Sequence, residues 1–409
     1  MQYIEDTQEL GIAYDWKLIR KELKKLGIPT QFYNPSSAPL SAAQWFVEVS
    51  ERTVGKTNGW LLLGLVMYKL YGTVTIYTRS TKEMIAPKHS STLFSVILEN
   101  GYIEKLTEGK YNSILYKSRK WFLTKIDENG DTKEVALDYC CRMVSIDEAE
   151  NMKSTLNEFK GDLILWDEFI PVSGHRTRPT EFVNFCDLVS TVFRLRRSGI
   201  IALLANTIDK NNQILYDLEI QERIAIMQFG DHEIYSTNKS GTKIYIEMIG
   251  SKPIMKAKKR IWNGLFMGFN KPELSSITGE STWVVHNYQH IPDDPDNEGI
   301  EIKPLYTKIY IFHNNKYVRL DIMKHSELGT LIYAHWATKT YSDSIILTNV
   351  YLYDKRYING IGRHTRIGTI IERAIKYNKV YYSGNDVGTF LQNYLLNIGE
   401  RALSQILNN

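Results

Sequence analysis

Short apolar runs that stop at small or polar residues set the pattern of the first 250 positions. "QWFVEV" (44–49) reads as a strand that runs into the polar stretch "SERTVGKT" (50–57), with a helix following over about 56–71. "TVTIYTR" (73–79) is a second strand, and "SSTLFSVILENG" (90–101) a helix ended by Gly101. "GDLILWDEF" (161–169) is a buried strand ending in two carboxylates, and a helix over about 179–197 leads from it to the strand "GIIALLANT" (199–207). Further strands are expected at "RIAIMQFG" (223–230) and "KIYIEMIG" (243–250). Strands alternating with helices in this order predict an α/β domain with a parallel central sheet.

Two segments depart from that alternation. "DWKLIRKELKKL" (15–26) has helical spacing with a basic face, ended by Gly27 and Pro29. "YNSILYKSRKWFLTKI" and "EVALDYCCRMV" flank "DENGDT" (127–132), which predicts a β-hairpin insertion. A calcium loop needs glycine after Asp131, and Thr132 stands there instead.

The character changes at "SKPIMKAKKRIWNG" (251–264) and again in the acidic stretch "HIPDDPDNEGIE" (290–301). A linker over 251–285 therefore divides a first domain, 1–250, from a second, 286–409. The second carries strands at "TKIYIFHN", "KYVRLDIM" and "SIILTNVYLY" and a terminal helical stretch, and reads as another α/β domain. A chain of 409 residues is also too long for one ordinary core.

Composition narrows the class. With 43% hydrophobic and 23% charged residues, the chain has the make-up of a soluble folded protein. A net charge of +4 permits a local nucleic-acid patch without arguing for one. Cys140, Cys141 and Cys186 give no disulfide framework and no zinc spacing, which points to a reducing cytoplasm. "MQYIEDTQEL" lacks the apolar core of a secretory signal. "GWLLLGLVMYKLYG" is broken by Lys69 and is too short to span a membrane.

The chemistry gathers at three strand ends. "SERTVGKT" closes in Gly55-Lys56-Thr57 after a strand and before a helix, the context of a phosphate-binding loop. Gly55 lets backbone N–H groups wrap phosphate, Lys56 neutralises the β and γ phosphates, and the Thr57 hydroxyl ligates magnesium. Ser50 stands where the first glycine is usual, and Arg52 lies inside the loop. "LILWDE" then supplies Asp167 for the metal and Glu168 to polarise water, while Asn206 and Thr207 end the next strand as γ-phosphate sensors. The expected fold class is thus a P-loop ATPase of the additional-strand, catalytic-glutamate type, with ATP and Mg2+ as cofactors. A nucleotide-binding module without turnover is the alternative from another class; Glu168 argues against it.

These motifs resemble a known group. The arginine inside "SERTVGKT" is similar to the deviant Walker A of phage large-terminase ATPases, as is "IYTRSTKEMIAPKHSSTLFSVI" with an arginine ending strand two. "WDEFIP", "TVFRLRR" and "LLANT" resemble still more the DNA-encapsidation ATPases of small short-tailed phages. The resemblance spans about 40–250. It implies a homo-oligomeric ring, a pentamer by that resemblance, which hydrolyses ATP at subunit interfaces. In the host cytoplasm such a ring drives double-stranded DNA into a prohead, docking on the portal or on a scaffold RNA. It also implies an arginine acting on a neighbouring subunit's nucleotide, which would be Arg194, with Arg196 and Arg197 beside it. A solvated helix end is the plainer account of that cluster, and Arg52 is a competing candidate in cis.

The same resemblance implies a second domain with an RNase H-like nuclease fold. Full terminases cut DNA there with clustered acids. This tail has Asp321 and Asp386 but no acid in the centre of "TKIYIFHN", so a degenerate, docking version is expected, with an active nuclease as the alternative. Lys252, Lys256, Lys258, Lys259 and Arg260 form either a solvated face or a phosphate contact. His286 and His290 lack a third ligand and read as structural.

Overall fold

The computed structural model describes residues 12–149, 161–170, 180–194, 198–206, 212–237, 241–262, 302–313, 315–326, 329–349, 354–361 and 365–397. The chain divides into two compact units, 1–210 with 217–284, and 211–216 with 285–409. Among the described residues no helix is long and apolar enough to cross a membrane.

The first unit opens with α1 (Trp16–Lys25), whose start is fixed by Asp15: its carboxylate accepts the N–H groups of Lys17 and Leu18, each at 3.0 Å. β1 (Trp45–Ser50) leads through a tight loop into α2 (Lys56–Tyr71). Gly55 and Gly72 bound that helix, both with φ near +70 to +90°, where a side chain would be strained. α2 is buried from Trp60 to Met67, and this explains an apolar run with no polar face. It reaches the sheet through Gly64, where an added Cβ would stand 2.0 Å from Thr75 Oγ1. Gly64→Ala should therefore cost about 1–3 kcal/mol through overpacking, read as a lower denaturation midpoint at unchanged m-value.

β2 (Val74–Arg79) follows, then three short helices, α3 (Pro87–Ser90), α4 (Ser95–Glu99) and α5 (Tyr102–Leu106). In place of the single helix expected over 90–101, α3 ends at Ser90 and α4 runs from Ser95 to Glu99; Gly101, at φ +65°, follows the end of α4 and caps the start of α5. The insertion contains β3 (Ser113–Lys117), β4 (Lys120–Ile126) and β5 (Thr132–Val135), followed by β6 (Cys141–Ser145). Its first hairpin turns at Ser118–Arg119, both left-handed. "DENGDT" makes the second turn, pinned by Asp127 accepting the N–H groups of Asn129 and Asp131.

β7 (Gly161–Asp167), α6 (Glu181–Phe193) and β8 (Ile200–Asn206) come next. α7 (Gln213–Asp217) and α8 (Gln221–Ile224) precede β9 (His232–Ser236) and β10 (Lys243–Ile249). The strand expected at 223–230 is thus replaced by a helical turn and a bend. The edge partner of β10 is 232–236, which a short hairpin loop can reach; Ile226, part of the apparent alternation, is 82% exposed. Helix α9 (Lys252–Trp262) occupies the first part of the expected linker, whose remainder lies outside the described residues.

The strands form one sheet in the order β3-β4-β6-β2-β7-β8-β1-β10-β9, with β5 on β4. From β6 to β10 every pairing is parallel, and β8 separates β1 from β7. The carboxyl ends of β1, β7 and β8 therefore meet at one rim, where open α/β sheets bind ligands.

The second unit is a six-stranded sheet ordered β15-β14-β11-β12-β13-β16. Its strands are β11 (Ile302–His313), β12 (Lys316–His325), β13 (Gly329–Ala337), β14 (Ile345–Thr348), β15 (Tyr357–Asn359) and β16 (Val380–Tyr382). The first three are antiparallel to one another; β14 is parallel to β11, β15 to β14 and β16 to β13. Helices α10 (Arg366–Lys376) and α11 (Asn385–Asn397) join the core of Ile309, Ile311, Val318, Leu320 and Ile332 through Ile371, Phe390, Leu391 and Tyr394.

Candidate active site

Register sets which residues meet at the rim of the first unit. Ser50 pairs with Asn206 across β1 and β8, and Asp167 pairs with Leu204 across β7 and β8. Tyr77 of β2 pairs with Leu165, two residues before Asp167. With a two-residue repeat, Ser50, Asn206, Asp167, Tyr77 and Arg79 all lie on the face that α2 covers.

At this rim lies a cavity of about 380 Å3 lined by Arg52, Gly55, Lys56, Thr57, Asp167, Glu168 and Asn206 among others. The Lys56 ammonium is buried and donates to Ser50 Oγ and, at 3.3 Å, to Asn206 Oδ1. Ser50 thus does more than replace a glycine: it is an oxygen partner for the lysine. Thr57 Oγ1 lies 3.2 Å from each Asp167 carboxylate oxygen. A hydroxyl and a carboxylate side by side are the hard oxygen donors that magnesium takes, and magnesium completes its shell with water and phosphate. The residues present fit that ion.

Two residues without a role in the sequence reading hold the carboxylates. Tyr77 OH donates to Asp167 Oδ2 at 2.7 Å, and Arg79 Nε donates to Tyr77 OH at 3.0 Å. Arg79 also donates to Glu168 Oε2 and stands 3.7 Å from Asp167 Oδ2. Burial works against the Arg79 charge, yet Tyr77, Asp167 and Glu168 hold its pKa above the usual value. Tyr77 is pushed well up, by burial first and then by the Asp167 charge. An arginine ending β2 is visible in the sequence, but its partners 88 and 89 positions away are not. Glu168 itself has φ +55°, and Thr53 in the loop has φ +79°. Such backbone is costly for non-glycine residues and is retained where the surroundings enforce it.

The segment before β1 braces the loop. Tyr33 N–H donates to Val54 O at 2.9 Å, and a Cβ at Gly55 would lie 3.5 Å from Phe32. Phe32 stays 40% exposed, an apolar ring beside the loop that could pack on a nucleotide base. Nothing in its non-periodic surroundings singles it out.

The remaining candidates fall in different places. Arg52 lines the cavity. Arg194 does not: it caps α6 with φ +52° and ψ −116°, and it is exposed. Arg196, Arg197, Thr207, His286 and His290 are outside the described residues. Lys252, Lys256 and Arg260 are exposed on α9 at four-residue spacing, one face of a helix; Lys258 and Lys259 belong to the same helix.

Among the described residues of the second unit, Asp321 and Asp386 do not converge. Asp321 accepts from Arg319 Nε at 2.7 Å and lies 3.0 Å from His335 Nε2. Its neighbours Leu320 and Ile322 point into the helix-covered core, so Asp321 faces the other side of the sheet. Asp386 accepts from Trp336 Nε1 at 2.6 Å, and Trp336 packs on Phe390 of the core. At the end of β11, His313 is wedged against Phe390 and Tyr394, and burial lowers its pKa. Among the described residues no three His, Cys, Asp or Glu side chains are grouped to hold a metal.

No family model matches the chain, and no curated protein matches it either. Solved structures do. The Phi-28 gp11 DNA packaging motor matches 91% of this chain and 99% of its own, with 13% identity and a TM-score of 0.56. A chain of the bacteriophage Phi-29 viral genome packaging motor assembly matches 90% of this chain and 100% of its own, with 13% identity and a TM-score of 0.53. At such identity the likeness speaks for the fold: this chain is similar in fold, over nearly its whole length, to phage DNA-packaging motor proteins.

Proposed function

We propose that the chain is an ATP-driven double-stranded DNA translocase that packages a phage genome into a prohead, working as a homo-oligomeric ring. The observation that carries this reading is the convergence of Lys56, Thr57, Asp167, Glu168 and Asn206 on one cavity at the carboxyl ends of β1, β7 and β8. The strand order, with β8 between β1 and β7, supports a P-loop ATPase of the catalytic-glutamate type.

In this reading Gly55 and the loop backbone wrap the phosphates, and Lys56 exchanges Ser50 and Asn206 for phosphate oxygens as ATP enters. Thr57 and Asp167 would hold magnesium, which when bound neutralises phosphate charge. Glu168 orients a water and accepts its proton as the water attacks the γ-phosphorus; Arg79 fixes the carboxylate meanwhile, and ADP departs. Asn206 reports whether the γ-phosphate is present. Arg194 completes the site of a neighbouring subunit, a role favoured by its exposure away from its own cavity.

The second domain read from the sequence, 286–409 with 251–285 leading to it, is assigned to docking on the prohead, through its portal or a scaffold RNA. Its strand order supports a nuclease-like fold, and the separate partners of Asp321 and Asp386 argue against a working metal cage. The α9 face of Lys252, Lys256 and Arg260 would contact nucleic-acid phosphate. The test is phosphate release by the full chain with and without double-stranded DNA, alongside plasmid incubation in magnesium or manganese. Turnover without nicking is expected. Absence of turnover would leave a binding module, and nicking lost in Asp321→Ala or Asp386→Ala would make the chain a cutting terminase.

A further inference from the structure

One buried pair of acids has no part in that mechanism. Glu48 of β1 stands directly opposite Glu247 of β10 in a parallel pairing, two residues before Ser50. Both lie on the face under α2, since the alternation that sends Ser50 there sends Glu48 there too. Glu48 is fully buried and Glu247 half-buried. Paired positions on neighbouring strands set the two side chains side by side on one face, and burial together with a neighbouring like charge disfavours ionising both.

The groups around them are few and defined. Tyr33 OH donates to Glu48 Oε1, and Trp60 Nε1 of α2 donates to Oε2 at 2.6 Å. β8 presents Leu204 opposite Glu48. On β10, Tyr245 OH donates to Glu247 Oε2 at 3.1 Å, and β9 sets His232 opposite Glu247. From the first turn of α2, the Lys56 charge acts on Glu48.

We propose that Glu48 and Glu247 form a one-proton site linked to the nucleotide cavity, so that the chain takes up a proton when nucleotide binds. The inference rests on the reading of that cavity as a nucleotide site. Two connections carry the linkage. The Lys56 charge favours ionised Glu48; bound phosphates would offset that charge, and the carboxylate would then hold its proton more tightly. Tyr33, which bonds Glu48 through its hydroxyl, bonds the loop through its N–H to Val54 O at 2.9 Å.

The sign follows. Burial, then the Glu247 charge, push the Glu48 pKa up to about 8, against the bonds from Tyr33 and Trp60 and the charge of Lys56. Burial likewise raises Glu247, against the Tyr245 bond and the His232 charge. Glu48 keeps the proton below about pH 8 and loses it above. By reciprocity, nucleotide affinity is full below that pH and falls above it.

The experiment is calorimetry of ADP with magnesium on the full chain, from pH 7 to 9.5, in buffers of different ionisation enthalpy. Wild type should take up a fraction of a proton with its maximum just above pH 8, and for a coupling of about one pKa unit the affinity should fall about tenfold across the range. Glu48→Gln should abolish the uptake and flatten the affinity profile. Glu247→Gln, at the less buried partner, should move the maximum down by about one unit. ADP binding with the same uptake profile in wild type and Glu247→Gln would overturn this proposal alone. A wild type that binds no ADP would overturn the cavity reading and this inference with it.

Discussion

Glu168→Gln is expected to lower ATP hydrolysis by about a hundredfold or more while leaving nucleotide affinity within a few-fold of wild type. The amide matches the carboxylate in shape but accepts no proton from water. It also keeps an oxygen for Arg79, so the local structure should survive. Lys56→Ala should behave differently, losing both affinity and rate, because the lysine meets phosphate before and during the reaction. Titration with a fluorescent nucleotide and single-turnover phosphate release separate the two effects. A Glu168→Gln chain that turns over at the wild-type rate would remove the glutamate from catalysis.

Arg194→Ala should cost roughly a thousandfold in rate, the scale of an arginine that stabilises the transition state, with little change in the subunit's own nucleotide affinity. The residue lies outside the lining of its own cavity, at a strained helix end. Mixing Arg194→Ala with Glu168→Gln chains should therefore restore part of the activity. Some interfaces would then join an intact glutamate to an intact arginine. No recovery at any ratio would transfer the role to Arg52, acting within its own subunit.

The strands that bear the site are legible in the sequence because each is an apolar run stopping at a polar residue: Ser50, Asp167 and Asn206 all end their strands. Lys56 and Thr57 follow from the glycine before them. What the sequence hides is pairing across the sheet. Arg79 ends β2 as plainly as Asp167 ends β7, yet only the parallel register brings the two together. Phe32 and Tyr33 sit in a stretch without periodicity, and only folding carries them to the loop. The misread strand at 223–230 has the reverse cause. Its isoleucines alternate, but the sheet edge is taken by 232–236, whose turn to β10 is shorter. Likewise Asp321 and Asp386 are two acids in a list until the fold turns Asp321, on β12, away from the core and ties Asp386, on α11, to Trp336.

The order of strands in the first sheet also governs how the chain must be made. β1 is complete at residue 50, but both of its hydrogen-bonded neighbours, β8 and β10, lie between residues 200 and 249. At ribosomal speeds of about 5–20 residues per second, β1 waits roughly ten to thirty seconds for its pairing partners, while the apolar stretch Trp60–Met67 of α2 behind it is covered only in part, by α1 and β2. During that interval an apolar segment lacks part of its native cover. Synthesis of this unit is thus a period of exposure to aggregation, best met by a chaperone, and nascent chains stopped short of residue 199 cannot close the sheet around β1.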